Sequence, residues 1–314
     1  GRVARQTGPA RRGCIHAVTP PKLTSHRPLL GIALMLVSGT IMPVMNGFGK
    51  MLATSYPPEQ VIWARLLTHL LWVLAFFLPR SGLGLFRTAR PSVQLALSLC
   101  MLVSTTLFFF AVPHVGLAKA SVINFVAPFM VMLLAVPMLG ERLALRRFLA
   151  VAGGFAGVVV VIRPGFDALD WASIAILASS FFFALFQCYS RQAAAVDRPE
   201  TSILYSVLAG AIVMSAVVPF GFVAPRTWLD GAIMASLGLV GATGHYFMAR
   251  AFSYADASII SPFLYWQLLG AVAVGFWLFG DLPDAWTWIG AAMIVTAGLF
   301  LAWSEAAGRR APRA

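Results

Sequence analysis

ASVINFVAPFMVMLLAVPMLGERLALRRFLAVAGGFAG (residues 120–157) and ASIISPFLYWQLLGAVAVGFWLFGDLPDAWTWIGAAMIVTAG (residues 257–298) follow one plan. Each opens on Ala-Ser, runs through an apolar segment to a Gly-acid pair, and continues through a second apolar run to Ala-Gly. After Gly140-Glu141 the loop is basic, with Arg142, Arg146 and Arg147; after Gly280-Asp281 it carries Asp284 and no basic residue. Lys and Arg collect on the cytoplasmic side of membrane proteins, so the two matching loops are expected on opposite faces of a bilayer. A repeat that reverses its orientation is an inverted repeat, the plan of many secondary transporters. Ala120 to Gly140 spans 20 residues and Ala257 to Gly280 spans 23. That excess of about one helical turn adjoins Tyr265, Trp266 and Gln267, and is expected to mark a half reshaped around a ligand.

Composition fixes the solvent. The 314 residues are 60% hydrophobic and 11% charged, with a mean hydropathy of +0.83. A soluble domain carries about a quarter charged residues, so the chain belongs in a lipid bilayer. Its net charge of +12 is spread in short clusters between apolar runs, without a nucleic-acid recognition module; nucleic acid is not an expected partner. Cys14, Cys100 and Cys188 lie far apart, which implies neither a disulfide framework nor a metal site. The five histidines are scattered, and no His-Glu-x-x-His motif or pair of intramembrane aspartates occurs. The sequence therefore offers no catalytic set, metal site or cofactor motif, and the chain is not read as an enzyme.

Ten apolar stretches each approach the roughly 20 residues needed to cross a hydrocarbon core as helix. They lie at about 29–48, 60–78, 93–112, 120–139, 148–162, 171–189, 201–220, 230–249, 257–279 and 286–303. The fold expected is an all-α integral membrane protein of ten transmembrane helices. With both termini inside, 18 of the 23 basic residues fall on the cytoplasmic side; Lys50, Lys119, Arg163 and Arg226 fall outside, and Arg65 lies within a span. The termini are thus expected in the cytoplasm of a cell whose inner membrane the chain crosses. Residues 1–28, basic and free of acid, read as a disordered tail. Residues 29–163 and 164–305 form the two repeats, and residues 306–314 form a C-terminal tail.

The blocks GLAKASVINFVAPFMVMLLAVPMLGERLALRR (116–147) and SYADASIISPFLYWQLLGAVAVGFWLFGDLPDAWTWIGAAMIVTAGLFL (253–301) resemble the two repeat signatures of the EamA family in the drug/metabolite transporter superfamily. The resemblance covers about residues 29 to 305. It implies two inverted five-helix repeats working as a permease or exporter for a small organic metabolite, such as an amino acid or a nucleoside-type compound like S-adenosylmethionine. It also implies a path lined mainly by spans 1, 3, 4, 6, 8 and 9, with the last span of each repeat serving as scaffold or dimer contact. Gly153, Gly154 and Gly157 in span 5, and Gly290 and Gly298 in span 10, suit either a homodimer or packing within the chain, because small residues let helix backbones approach closely. A non-transporting membrane interaction or sensor protein is the alternative, since no soluble domain accompanies the spans.

Arg65 is the strongest single pointer, because a guanidinium near a span's middle costs about 2.5 to 3.5 kcal/mol on insertion scales. Ile62, Arg65, His69 and Trp72 share one helix face, which should turn toward protein or a water-filled cavity. The competing role for Arg65 is a structural latch that snorkels or bonds to carbonyl groups near Glu59. Asn46 follows Pro43 by three residues and Asn124 precedes Pro128 by four; a proline that disturbs a helix frees carbonyl groups for a ligand. Tyr265, Trp266 and Gln267 in span 9, Gln187 in span 6, and His245 with Tyr246 in span 8 add aromatic faces and hydrogen-bonding groups. Gly238, Gly241 and Gly244 make one smooth face of span 8, suited to close packing. All eleven acids map to loops or span ends. Coupling to protons would therefore rest on His69 or His245, and an unpaired Arg65 points to a substrate bearing a carboxylate or phosphate.

Overall fold

The computed structural model describes residues 27–140, 144–163, 170–254 and 257–310. The tail expected over residues 1–28 lies, up to His26, outside the described residues, as do Glu141, Arg142, Asp167 and Asp256. Among the described residues all extended regular structure is helical: α1 (Pro28–Ser55), α2 (Pro58–Ser81), α3 (Pro91–Ala111), α4 (Leu117–Asn124), α5 (Ala127–Leu139), α6 (Leu145–Ile162), α7 (Trp171–Ala194), α8 (Pro199–Val217), α9 (Trp228–Tyr254), α10 (Ala257–Leu264), α11 (Trp266–Phe279) and α12 (Ala285–Arg310). With α4–α5 and α10–α11 each crossing as one broken span, they give ten spans long and apolar enough for a membrane. Helices α1, α2, α3 and α8 start on proline, whose fixed φ suits a first turn where its missing N–H costs nothing. α12 continues through Arg310, five residues into the stretch read from sequence as a tail; the Ala, Glu and Arg residues there are good helix formers.

The packing has the two-fold symmetry that inverted repeats require. α1 packs on α9, and its counterpart α7 packs on α3; α2 packs on α9, and α8 on α3; α1 meets α11 as α7 meets α5. The pairs α2–α8 and α6–α12 are their own counterparts. Hydrogen bonds repeat the pattern: the Ser179 hydroxyl donates to the Ser104 carbonyl at 2.8 Å, and the Ser38 hydroxyl to the Gly244 carbonyl at 2.8 Å.

The broken spans correct the reading of the repeat. Leu117 and Ala257 begin them, Leu139 and Phe279 end them, and both pairs differ by 140 residues. Both end on a left-handed glycine, Gly140 and Gly280, each with φ of 69°. The second copy therefore contains no inserted turn. Its Ala-Ser pair stands at the start of α10, whereas Ala120 and Ser121 sit one turn inside α4.

Glycine sets the close approaches. A Cβ on Gly238 of α9 would collide with the backbone of Arg65 and His69 in α2; Gly241 and Gly244 lie against Met45 and Met42 of α1. A Cβ on Gly157 of α6 would sit 2.9 Å from the Gly290 carbonyl of α12, Gly154 accommodates the Phe129 ring, Gly153 faces Ala297, and Gly298 receives the Tyr265 hydroxyl. The five glycines of spans 5 and 10 thus meet neighbours within the chain.

At one end of the bundle the Asp197 carboxylate accepts hydrogen bonds from the Thr88 hydroxyl, the Ala89 N–H and the Gln94 amide, at 2.6, 2.8 and 2.8 Å. Burial pushes this carboxyl up, but those bonds and the Arg90 charge outweigh it and hold Asp197 below its ordinary range. Gly238→Ala is expected to lower stability by about 1 to 3 kcal/mol through overpacking. Gly84→Ala, with nothing within 4 Å of the new Cβ, should be close to neutral; thermal melting of the detergent-purified variants checks both.

Candidate functional site

Between the halves lies a cavity of about 340 Å³ lined by α1, α2, α3, α4–α5, α7, α9 and α10–α11. α6, α8 and α12 contribute nothing to its wall. The path expected along spans 1, 3, 4, 6, 8 and 9 is present, and span 2 joins it through Arg65.

The walls meet where the helices break. Pro128 has no N–H to return to the Asn124 carbonyl four residues earlier, so α4 closes in a tight turn, with the Phe125 N–H shared between the Ser121 and Val122 carbonyls. In the second copy Tyr265 donates to the Pro262 carbonyl at 3.4 Å and its own carbonyl accepts from Leu268 at 3.0 Å. Phe125 and Tyr265, counterparts in the two repeats, meet with ring centroids 5.5 Å apart and planes tilted by 33°. Backbone irregularity at membrane depth is stable only where protein or a cavity surrounds it, and these breaks adjoin both.

Of the residues singled out from sequence, Asn46, Arg65, Asn124, Gln187, His245 and Gln267 line the cavity. The Asn124 carboxamide oxygen accepts from Ser180 at 3.0 Å, which leaves its amide nitrogen as the end without a partner among the described residues. The Arg65 guanidinium lies over the Phe109 ring, 5.3 Å from its centroid. Among the described residues Arg65 has no acidic partner, and Glu59 does not pair with it.

Four expected residues lie elsewhere. Trp266 is 44% exposed on the outer surface and donates to the Thr40 hydroxyl at 3.0 Å. Tyr246 is likewise 44% exposed. Tyr265 backs Phe125 from behind, its hydroxyl against Gly298. His69 sits at the α2–α9 contact beside Gly238, within electrostatic reach of Arg65 and His245 but outside the wall. The reason is geometric: consecutive helical residues point about 100° apart, so Trp266 and Gln267, or His245 and Tyr246, cannot share a face. Gln267 and His245 take the cavity, and their neighbours take the surface.

The α3 wall escaped the sequence reading. Met101, Ser104, Thr105 and Phe108 line the cavity at helical spacing, but hydroxyl groups satisfied by a preceding carbonyl are common in lipid and give a weak signal. Ser104 and Ser179 bond reciprocally here, each hydroxyl donating to the other's carbonyl at 2.8 to 2.9 Å. Phe125, Phe183 and Phe252 with Met42 and Met248 supply an apolar, adaptable remainder.

One end of the bundle is tied by ion pairs. Lys50, 5% exposed, bonds Asp281 at 2.8 Å, Lys119 faces Asp170 at 3.8 Å, and Arg163 pairs with Asp284. All three join the two repeats. Among the described residues no group of three His, Cys, Asp or Glu side chains is placed to hold a metal ion.

The EamA-like transporter family model matches residues 29–163 and 170–303. The chain belongs to the EamA-like transporter family. Relatives of this EamA-like protein include a riboflavin transporter of Rhizobium johnstonii, 27% identical over 91% of this chain and 95% of its own length. An S-adenosylmethionine uptake transporter of Rickettsia prowazekii is 26% identical over 87% and 91%, and the pseudopaline exporter CntI of Pseudomonas aeruginosa 24% over 86% and 95%. A solved crystal structure with 18% identity superposes at a TM-score of 0.60, covering 90% of this chain and 98% of the other, a likeness of fold alone. The EamA-like chain is a multi-pass membrane protein of a transporter family.

In a background with Cys14, Cys100 and Cys188 replaced by Ser, Asn124→Cys and Gln267→Cys should react with a small water-soluble thiol reagent. Trp266→Cys should not, because a lipid-facing thiol does not ionise; mass spectrometry of the labelled protein reads the pattern.

Proposed function

We propose that this EamA-like protein moves a small organic metabolite across the inner membrane by alternating access, with both termini in the cytoplasm. Residues 29–163 and 164–305 are the moving halves, and the central cavity is the substrate site. The observation that carries this reading is the cavity's composition: both repeats line it, Phe and Met side chains make much of its apolar wall, and four carboxamides with one cation supply directional contacts. Sites for small organic ligands are built of such apolar walls with a few converging polar groups. The relatives named for riboflavin, S-adenosylmethionine and pseudopaline carry organic solutes of different shape, which supports the class and leaves the individual solute to experiment.

Asn124, Gln187 and Gln267 would orient the solute through hydrogen bonds. Lys50–Asp281, on the side predicted to be external, would close that entrance in the state seen here, and its rupture would accompany opening to that side. The two serine contacts, Ser104–Ser179 and Ser38–Gly244, sit where α3 crosses α7 and α1 crosses α9, at the interfaces on which the halves would rock.

Purified protein in liposomes tests the proposal. With riboflavin and S-adenosylmethionine offered separately, saturable counterflow above empty vesicles is expected for at least one. Asn124→Ala and Gln267→Ala should reduce it by about 10-fold, the scale of one buried hydrogen bond to ligand. A solute that raises the melting temperature yet shows no flux would favour the sensor alternative. Reporter fusions to the C-terminus and to the 280–285 loop should give cytoplasmic and external signals.

A further inference from the structure

We infer that Arg65, which shares the cavity wall with Asn46 and His245, forms a subsite for an anionic group of the transported solute, a carboxylate or a phosphate; this rests on the permease reading. The inference begins with how the chain treats its other cations at the same end of the bundle. Lys50, Lys119 and Arg163 each face an aspartate, and Arg226 lies 6.0 Å from the Tyr56 ring, with its charge felt by Asp230. Arg65 alone among these has only an aromatic face, that of Phe109. The cavity it lines contains no carboxylate. Its position is fixed by backbone: Gly238 lets α9 press against the Arg65 carbonyl and the His69 N–H, while the Thr68 hydroxyl accepts from the Gly238 N–H at 3.0 Å.

Symmetry sharpens the point. The counterpart of α2 is α8, and α8 places nothing in the wall. Arg65 is therefore an addition to one side of a two-fold cavity, with no equivalent across the axis. It stands seven residues into α2, about 10 Å along the helix from its first residue, on the side of the cavity nearer the Lys50–Asp281 closure. A guanidinium presents a planar fork of donors that matches carboxylate or phosphate oxygens. His245 on the wall, and His69 behind it within electrostatic reach, bring no competing anion. Phe183, Phe252 and Met248, on the remaining wall, would then take the apolar body of the solute.

Two matched probe pairs test this: N-acetyltryptophan against its carboxamide, and riboflavin 5′-phosphate against riboflavin. Binding is measured by calorimetry on detergent-purified wild type, R65Q and R65K, with counterflow of the same compounds in liposomes. At least one anionic member should bind the wild type about 10-fold or more tighter than its neutral partner, the pair that responds telling carboxylate from phosphate. R65Q should erase the preference, and R65K should keep part of it. Equal affinity within both pairs, a preference that survives in R65Q, or no binding of either anionic probe overturns the subsite. Flux without charge preference would remove the subsite and leave the permease; charge-selective binding without flux would do the reverse.

Discussion

Lipid offers no partner to a free N–H or C=O, and the location of the site follows from that constraint. The ladder of helical hydrogen bonds fails twice at membrane depth, around Phe125 and around Tyr265. Both failures must be enclosed by protein, and the molecule encloses them together by setting the two rings against each other between its halves. The cavity opens beside them, where backbone released from helix is sheltered from acyl chains. The remaining helices then arrange around this centre, with α6 and α12 closed against each other by glycine at its edge.

Two symmetries coexist here and do different work. Backbone contacts obey the two-fold relation down to single hydrogen bonds, as Ser179–Ser104 and Ser38–Gly244 do. The chemistry of the wall does not: Arg65 has no counterpart from α8, and Asn124 and Gln267 come from opposite sides of their respective breaks. Related frames can thus carry unrelated solutes, because pocket chemistry changes through a few side chains while the crossings stay fixed.

Much of this was legible in the residues. The number of spans follows from apolar length, and the pairing of loops by face follows from Arg142, Arg146 and Arg147 against Asp281 and Asp284. Gly238, Gly241 and Gly244 announced a close helix approach, and α9 meets α2 and α1 there. The helix breaks were harder to read. Pro128 follows its break and Pro262 precedes the other, so no shared motif marks the two turns. Wall residues were legible one at a time and misleading in clusters, since Tyr265, Trp266 and Gln267 fan out around the helix axis to a ring contact, the surface and the cavity. The hydroxyls of α3 stayed hidden because their pattern differs little from ordinary packing.

The fixed separation of 140 residues between the broken spans has an evolutionary corollary. A residue gained or lost between Leu117 and Gly140 would rotate everything beyond it by a quarter turn or more relative to the facing copy. Phe125 would then lose its opposite ring, and the partner span could restore the match only by the same change. Length variation in descendants of this chain should therefore gather outside these two segments, in the connections that follow Gly140 and Gly280 and in the tails, while substitutions within them remain free to retune the solute.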